Sequence, residues 1–309
     1  MIYITGATGH IGNNLVKLMA KKNLDFKIIG RSVSKAIKDY KDRVIIGDIF
    51  NIDFLMETIS ENDTLIHLAA YINLKNDKKE LTDEINFLGT KRIVDFCIEK
   101  NIYLIFASST DAILNHDYLI KEPESIDVNL LNSYYQKSKA KATNYILEAI
   151  KNSKLKAVVI YPSAVIGIND FKPSAIGKEI MRASKRRVCF YFEGGYNFVD
   201  VLDVCETIIR SLEKQSVGSY IVSGEYIKLK TMYQSIYNEL NRKVIYLKIP
   251  LFMIKSVSKI APKLRVMISA LLSKHNYDNS KIINELNIVP NPIDCTIKDT
   301  LTWFMEENK

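Results

Sequence analysis

The sequence predicts an α/β fold, in which a doubly wound parallel sheet is followed by a smaller, mostly helical carboxy-terminal lobe. Two observations support this prediction. Short apolar runs alternate with longer segments of helical periodicity, and the runs are apolar on both faces, which is typical of parallel strands covered by helices on each side. After about residue 165 this alternation weakens and the sequence becomes mainly helical.

The alternation assigns each element a place along the chain. We expect residues 1–165 to form the sheet domain and residues 166–309 the second lobe, with residues 196–222 returning to the sheet. Because there is no Gly/Ser-rich linker, the lobes should pack directly on each other. The predicted strands are 2–5, 26–30, 43–47, 64–70, 103–109 and 156–163, and the predicted helices lie near 11–22, 51–59, 80–100 and 134–151.

Composition excludes several classes of protein. The formal charge of +8 comes from scattered lysines, which do not form the basic runs with interleaved aromatics typical of nucleic-acid binding. With no run of about 18 apolar residues and a strand starting at Ile2, we expect a cytoplasmic protein without a transmembrane segment or cleaved signal. The cysteines are far apart and have no C-x-x-C spacing, so we expect reduced thiols and no metal: Cys97, Cys189, Cys205 and Cys295.

One carboxy-terminal segment is both apolar and basic. Residues 249–274 read "IPLFMIKSVSKIAPKLRVMISALLSK", so a helix lying on a membrane surface is one interpretation. Because Pro262 divides the segment, we favour two short packed helices that line a hydrophobic substrate cleft.

A glycine-rich turn follows the first predicted strand. In "TGATGHIG", Gly6, Gly9 and Gly12 stand between that strand and the first helix. Dinucleotide binding needs a tight turn, close approach of the backbone to a pyrophosphate, and a helix amino terminus directed at that charge. A merely tight turn is the alternative, but the combined strand, glycines and helix predict an NAD(P)-binding domain of Rossmann type.

The end of the second predicted strand bears on which nucleotide is preferred. An acidic residue there would bind the ribose 2′-hydroxyl of NAD, but this chain has Arg31 followed by Ser32. Since arginine offers a fork of donors suited to phosphate, we expect NADP(H) to be preferred, although NAD(H) can also bind. Asp48, after the third strand, is placed either to meet the adenine or to cap a helix.

A tyrosine and a lysine stand four residues apart in "LNSYYQKSKAKA". On a helix, Tyr135 and Lys139 would share one face, whereas neighbouring side chains diverge. Alone, this spacing is most often a solvated helix face. An ammonium near a phenol, however, lowers the pKa of the phenol and lets it exchange protons near neutral pH.

These motifs, taken in order, resemble the extended short-chain dehydrogenase/reductase family. The glycine turn is followed by "GDI" (47–49), "HLAA" (67–70), "NFLGT" (86–90), "FASS" (106–109), "YQKSK" (135–139), "YPSAVIG" (161–167) and "NFVDVLDV" (197–204). The resemblance implies cofactor contacts from Gly6, Thr8, Gly9, His10, Ile11, Gly12, Arg31, Ser32, Asp48, Ile49, Leu68, Ala69, Ala70, Tyr135, Lys139, Pro162, Ser163 and Val165.

The resemblance also implies catalytic roles. Tyr135 would be the general acid/base, Lys139 would lower its pKa and bind the nicotinamide ribose, and Ser109 would polarise the substrate oxygen. Thr110 is the alternative to Ser109, and Ser108 is read as a buried hydroxyl satisfied by backbone.

Other positions receive structural interpretations. Asn86 would tie the central strands together, and His67 would pack behind the cofactor without acting as a base. His10 has no catalytic role, His116 and His275 are read as surface residues, and Tyr134 is directed away from the site.

Two branches of the family compete. Epimerases and dehydratases usually carry a Val-Tyr-Gly-like segment after the catalytic hydroxyl, whereas this chain has "TDAILNHD". The loop "YPSAVIGINDF" and the ending "KIINELNIVPNPIDCTIKDTLTWFMEENK" are similar to the dihydroflavonol reductase and 3β-hydroxysteroid dehydrogenase branch.

We therefore expect an oxidoreductase acting on a carbonyl or alcohol of a small, fairly hydrophobic substrate. The alternatives are a nucleotide-sugar epimerase/dehydratase with retained NAD, and an inactive cofactor-sensing regulator. The family also implies that a homodimer can form through helices that include the Tyr/Lys helix.

Overall fold

A seven-stranded parallel sheet forms the centre of the molecule in the computed structural model, which describes residues 1–73, 76–115, 117–260, 268, 270–272 and 275–307. The strand order is β11-β7-β5-β4-β1-β2-β3 and every pairing is parallel. Its strands are β1 (Ile2–Thr5), β2 (Phe26–Gly30), β3 (Val44–Ile46), β4 (Thr64–His67), β5 (Tyr103–Ala107), β7 (Ala157–Pro162) and β11 (Gly218–Val222). The predicted doubly wound fold is confirmed.

The helices connect these strands and cover both faces of the sheet. In the sheet domain they are α1 (His10–Lys21), α2 (Ile52–Thr58), α3 (Lys79–Asp83), α4 (Thr90–Glu99) and α5 (Tyr134–Lys151). A π-helical stretch, Glu84–Gly89, joins α3 to α4, so the predicted helix at 80–100 is continuous but not uniformly α-helical. Short 3₁₀ segments lie at Lys35–Arg43, Thr110–Ala112 and Val128–Leu130.

The apolar character of both strand faces explains the two core layers. Along β5, Leu104 and Phe106 join one cluster of buried residues, whereas Tyr103 and Ile105 join the cluster on the opposite side. Because successive side chains of a strand alternate between faces, a strand buried on both faces must be apolar throughout. This is the pattern that the sequence showed.

The rest of the described chain, called the second lobe below, contributes shorter strands and further helices. It contains β8 (Ala164–Ile166), β9 (Val188–Tyr191), β10 (Gly195–Asp200), β12 (Tyr226–Lys228), β13 (Ile245–Lys248) and β14 (Asn276–Tyr277), the last paired with β6 (Leu119–Ile120). Its helices are α6 (Ala175–Ala183), α7 (Val201–Lys214), α8 (Leu229–Glu239), α9 (Leu251–Ile260), α10 (Ser280–Leu286) and α11 (Ile293–Glu307).

Part of this later sequence contacts the sheet domain directly. Strand β11 pairs with β7 at the edge of the sheet, and α7 packs against α1. The division of the chain at about residue 165 stays a prediction.

Three further sequence expectations bear on the described residues. All four cysteines are free, and Cys295 alone among them is exposed. Within the described ranges, no group of three or more His, Cys, Asp or Glu side chains could hold a metal ion. None of the helices described is long and apolar enough to cross a membrane.

Candidate active site

A cleft of about 760 Å³ opens at the carboxyl ends of β1, β2, β4, β5 and β7. In open parallel sheets this edge is the usual binding position, because the loops that follow the strands converge there. Every residue that the sequence assigned to cofactor binding lines this cleft, and so does Ser109. The motifs, which are dispersed over 160 residues of sequence, thus meet in one place.

The glycine turn forms one wall of the cleft. Gly6 has a φ of +72°, and a Cβ there would lie 2.6 Å from the backbone nitrogen of Ala69. A Cβ on Gly12 would lie 2.3 Å from the carbonyl oxygen of Gly6, so both positions require glycine.

Helix α1 begins at this turn, and its amino terminus is suited to binding an anion. Gly9, the residue before α1, makes no side-chain cap, and the first turn carries no acidic residue. No described side chain caps the start of α1, so its first backbone N–H groups line the cleft with the positive end of the helix dipole. These residues fit a dinucleotide pyrophosphate.

A loop after β8 is fastened to the first turns of α1. Asn13 donates through Nδ2 to the carbonyl oxygen of Asn169 at 3.1 Å, and Asn14 donates likewise to that of Ile168 at 3.0 Å. His10 contacts the Ile168 carbonyl oxygen through Nε2 at 2.9 Å. His10 therefore helps to hold the loop, and the expectation that it has no catalytic role stays a prediction.

This fastened loop adds two residues to the cleft that the sequence analysis missed. Lys172 and Ser174 line the cleft together with Arg31 and Ser32. Lys172 and Arg31 are both exposed cations. In the sequence, only their position just after "YPSAVIG" could have indicated that these two residues lie at the cleft. The contacts of Asn13 and Asn14 in the structure show that this loop returns to α1.

Asp48 makes a local turn and does not cap a helix. Its Oδ1 accepts a hydrogen bond from the backbone N–H of Phe50 at 3.0 Å, whereas the cap of α2 is Asn51, which accepts from Phe54 N–H at 3.3 Å. The helix-cap alternative for Asp48 is therefore wrong. Asp48 lines the cleft, which leaves the adenine contact as the prediction.

Helix α5 carries the tyrosine and the lysine. Ser133 and Gln136 form a reciprocal capping box that starts the helix at Tyr134, and this start fixes the positions of Tyr135 and Lys139. The Lys139 ammonium donates to the carbonyl oxygen of Ala107 at 2.5 Å and lies 4.1 Å from the ring centre of Phe106. Burial lowers the pKa of Lys139 to about 7.

The pKa of Tyr135 shifts in the direction opposite to the sequence expectation. Burial raises the pKa of the Tyr135 phenol well above its usual value, and the nearby Asp111 carboxylate raises it further. The expectation that Lys139 lowers this pKa was wrong for two physical reasons. Burial of the phenol disfavours its charged form, and the Lys139 ammonium is engaged with strand β5.

The serines and the threonine after β5 have distinct surroundings. Ser109 lines the cleft, and its Oγ accepts the backbone N–H of Asp111 at 3.1 Å, which leaves its hydroxyl proton to be donated elsewhere. Ser108 also lines the cleft, but its Oγ lies 2.7 Å from Thr143 Oγ1. The expected backbone partner of Ser108 is thus replaced by a side chain. Thr110 is only 1% exposed, hydrogen-bonds Tyr277, and does not line the cleft.

The second lobe contacts the turn after β5 through residues that the sequence analysis missed. Tyr196, on β10, donates its hydroxyl to Asp111 Oδ1 at 2.5 Å. Burial raises the pKa of Asp111, and the Tyr196 hydrogen bond opposes that shift. No motif identified Asp111 or Tyr196, because their pairing joins positions 85 residues apart.

His67 and Asn86 support the site from behind. His67 is buried between Thr5, whose Oγ1 lies 2.8 Å from Nδ1, and Thr90, whose Oγ1 lies 3.4 Å from Nε2. Asn86 was expected to join central strands, but it accepts from the backbone N–H of Tyr71 at 2.7 Å and donates to Ser138 at 3.1 Å. Asn86 therefore ties the segment after β4 to the Tyr/Lys helix.

Of the two remaining histidines, His275 lies near the surface and contacts the carbonyl oxygen of Asp117 at 3.2 Å. His116 lies outside the described residues.

The doubly wound sheet, the glycine turn and the cleft at the strand ends define a nicotinamide-dinucleotide-binding protein. The model of the NAD dependent epimerase/dehydratase family matches residues 2–223, and the chain belongs to this family. The resemblance to the extended short-chain dehydrogenases/reductases and the predicted class of enzyme, a nicotinamide-dependent oxidoreductase, are confirmed.

Several known proteins are similar over most of the chain. Sterol demethylase protein B of Methylococcus capsulatus is 24% identical over 98% of this chain and 98% of its own length. The mouse (Mus musculus) sterol-4-alpha-carboxylate 3-dehydrogenase, decarboxylating, is 23% identical over 87% of this chain and 76% of its own length. The solved structure of the Bordetella bronchiseptica enzyme WbmH in complex with NAD+ has a TM-score of 0.78 at 18% identity, with coverage of 100% and 99%.

Proposed function

We propose that this protein is an NADP(H)-dependent oxidoreductase that reduces a carbonyl group of a small, fairly hydrophobic substrate. The observation that carries the proposal is that Ser109, Tyr135 and Lys139 line the same cleft as the glycine turn and Arg31. A bound nicotinamide supplies the hydride in such a reaction. The protein must then bind the substrate oxygen and deliver one proton to it.

The surroundings of Tyr135 suit proton donation. Because burial and Asp111 raise its pKa, the phenol stays protonated through neutral pH and can give its proton to an oxygen that gains charge as hydride arrives. The Ser109 hydroxyl, whose oxygen already accepts the Asp111 N–H, can donate to the same substrate oxygen. In the oxidative direction the phenol would have to lose its proton first, so the arrangement favours reduction.

Lys139 would serve as the cation of the site. With a pKa of about 7, the Lys139 amine is partly protonated at neutral pH. Its position one helical turn after Tyr135 suits a contact to the nicotinamide ribose. A developing negative charge on the substrate oxygen would favour the protonated form of Lys139.

The proposed preference for NADP(H) is supported by the cations that line the cleft near the end of β2. Arg31 and Lys172 line it, and the position after β2 carries Arg31 where an acid would favour NAD. Ser32 adds a hydroxyl to the same region. These donors support a contact to a 2′-phosphate.

A fairly hydrophobic substrate is supported by the lining and by the relatives. Tyr71, Ile72 and Ile85 line the cleft together with the proposed catalytic residues. Two relatives that match 98% and 87% of this chain are named for sterol chemistry, and we extend to this chain only the class of hydrophobic alcohols and ketones.

The test compares two neighbouring tyrosines. Purified protein should oxidise NADPH, followed by loss of absorbance, only when a hydrophobic ketone or aldehyde is added. Tyr135→Phe should lower kcat by roughly 100-fold or more, the scale of general acid/base catalysis, while the Kd for NADPH changes little. Tyr134→Phe is the matched control and should keep wild-type turnover. Retained activity in Tyr135→Phe would refute the assignment.

Other outcomes point to the alternatives. If the protein is isolated with bound NAD and interconverts UDP-sugars without net cofactor change, it is an epimerase or dehydratase. If it binds cofactor tightly, turns over nothing and associates with a protein partner, it is a cofactor sensor.

A further inference from the structure

A two-stranded sheet of the second lobe has one face with exposed apolar side chains among the described residues. Strands β9 and β13 pair in parallel, with Val188 opposite Ile245 and Phe190 opposite Leu247. Since alternate residues share a face, these four side chains lie on the same side of the two-stranded sheet. Phe190, Ile245 and Leu247 are 54%, 64% and 45% exposed. Cys189, on the other side, is fully buried in the core of the lobe.

Further exposed apolar side chains lie in the segment that follows β13. The backbone N–H of Ile249 donates to the carbonyl oxygen of Tyr191 at 2.7 Å, which continues the parallel pairing as far as Pro250. At the start of α9, Leu251, Phe252 and Met253 are 37%, 70% and 49% exposed. We define the docking face as Phe190, Ile245, Leu247, Leu251, Phe252 and Met253.

A cluster of cations borders the docking face at one end. The segments that lead into β9 and β13 are both basic, and because the strands are parallel, these segments lie at the same end of the sheet. The Ile245 N–H donates to the carbonyl oxygen of Arg187, which holds the two segments together. The cluster consists of Lys185, Arg186, Arg187, Arg242 and Lys243.

Few acids offset this charge. Among the described residues, Glu179 is the one carboxylate that forms a salt bridge with the cluster, at 2.9 Å to Arg186. Lys248, at the opposite end of β13, pairs with Glu193 at 2.8 Å. All of the cluster except Arg186 is exposed, so its charge faces solvent.

We propose that the docking face and its basic cluster bind the surface of an anionic phospholipid bilayer. The exposed apolar side chains would enter the boundary between headgroups and acyl chains, while the cations lie among the lipid phosphates. A nucleic acid would contact the cations but would leave the six apolar side chains exposed to water. An apolar protein surface would cover the side chains but would not require the five cations. The combination matches the two layers of a bilayer surface.

The test uses the full chain and vesicles, and it does not depend on the catalytic activity. Wild-type protein should co-sediment with vesicles of phosphatidylcholine and phosphatidylglycerol, bind weakly to phosphatidylcholine alone, and be released by high salt. The double variant Arg187→Glu/Lys243→Glu should bind at least about 10-fold more weakly, since each cation near an anionic surface contributes to attraction. Phe252→Ser should weaken binding at unchanged net charge.

The matched control places the same charge change elsewhere. Lys41→Glu/Lys154→Glu reverses two exposed lysines of the sheet domain and should bind like wild type if the surface is specific. Circular dichroism of every variant checks that it is folded. The proposal fails if wild type stays in the supernatant or if the control binds as weakly as the double variant. It also fails if Phe252→Ser abolishes a dimer seen by sedimentation, because the face then joins two copies.

Discussion

At the scale of single residues, Arg31 offers the sharpest test of cofactor choice. It follows β2 directly, is exposed and lines the cleft. A charged hydrogen bond contributes about 1.5–3 kcal/mol, so Arg31→Ala should raise the Kd for NADPH by roughly 10- to 100-fold. The Kd for NADH should change little, because NADH has no phosphate at that position.

Fluorescence titration with both cofactors measures these constants. Lys38→Ala is the control, since Lys38 is an exposed cation of the same segment that does not line the cleft. The proposed preference is contradicted if the wild type binds NADPH and NADH with equal affinity and Arg31→Ala does the same.

The same scale shows where sequence reasoning succeeded and where it failed. Every cofactor-binding residue predicted from the motifs lines the cleft, because most of these motifs follow strands and parallel strands end at one edge, but Lys172 and Ser174 were missed. The direction of the Tyr135 pKa shift was not predictable from spacing. It depends on how completely the phenol is desolvated and on the direction of the Lys139 ammonium, and both are properties of packing.

At the scale of elements, the contact between β10 and the 3₁₀ segment Thr110–Ala112 links the two lobes at the site. The Tyr196 hydroxyl holds Asp111, whose backbone N–H in turn binds Ser109 Oγ. Tyr196→Phe should loosen this turn and lower kcat for carbonyl reduction by about 10-fold, given a hydrogen bond of about 1.5 kcal/mol. The Kd for NADPH should stay within about 2-fold of wild type, because the cofactor residues are untouched.

Tyr220→Phe is the matched control for this prediction. Tyr220 donates to Glu285 at 2.8 Å, a comparable tyrosine–carboxylate bond that lies outside the cleft. Both variants lose one such bond, so a similar change in thermal stability is expected for both. A positioning role for Tyr196 is ruled out if the two variants have the same kcat.

The predicted boundaries of the strands and helices are close to those in the structure, with two exceptions. The strand expected at 64–70 ends at His67, where its pairing with β1 ends at Thr5, just before the glycine turn. The helix expected at 80–100 contains the π-helical stretch Glu84–Gly89 that carries Asn86. Local periodicity predicts the type of element but not where tertiary contacts end a strand or change the winding of a helix.

At the scale of the whole molecule, a sequence predicts layers more readily than it predicts their mutual contacts. The alternation of strands and helices was sufficient for the sheet and its two cores. Ile168 and Asn169 contact α1, and Tyr196 contacts Asp111. These contacts join residues that are 85 to 158 positions apart in the sequence. Each of these contacts depends on the path of the second lobe, which has no strong periodicity of its own.

The buried imidazole of His67 makes the stability of the whole molecule depend on pH. Burial, together with the nearby Lys139 charge, lowers the pKa of His67 from 6.5 to about 3. Between pH 6.5 and about 3 the unfolded chain binds a proton at His67 that the folded chain does not. This contribution to stability is therefore fully present above pH 6.5 and is lost as the pH falls.

The expected size of this effect follows from the linkage relation. At about pH 5, His67 should lower the free energy of unfolding by about 2 kcal/mol relative to its value above neutral pH. His67→Asn cannot take up the proton, so the loss of stability on acidification should be smaller in this variant by that amount. Urea unfolding at both pH values measures it. His275→Asn, which removes an imidazole near the surface, should lose stability on acidification as the wild type does. An equally steep loss in His67→Asn would show that other groups account for the acid sensitivity of the fold.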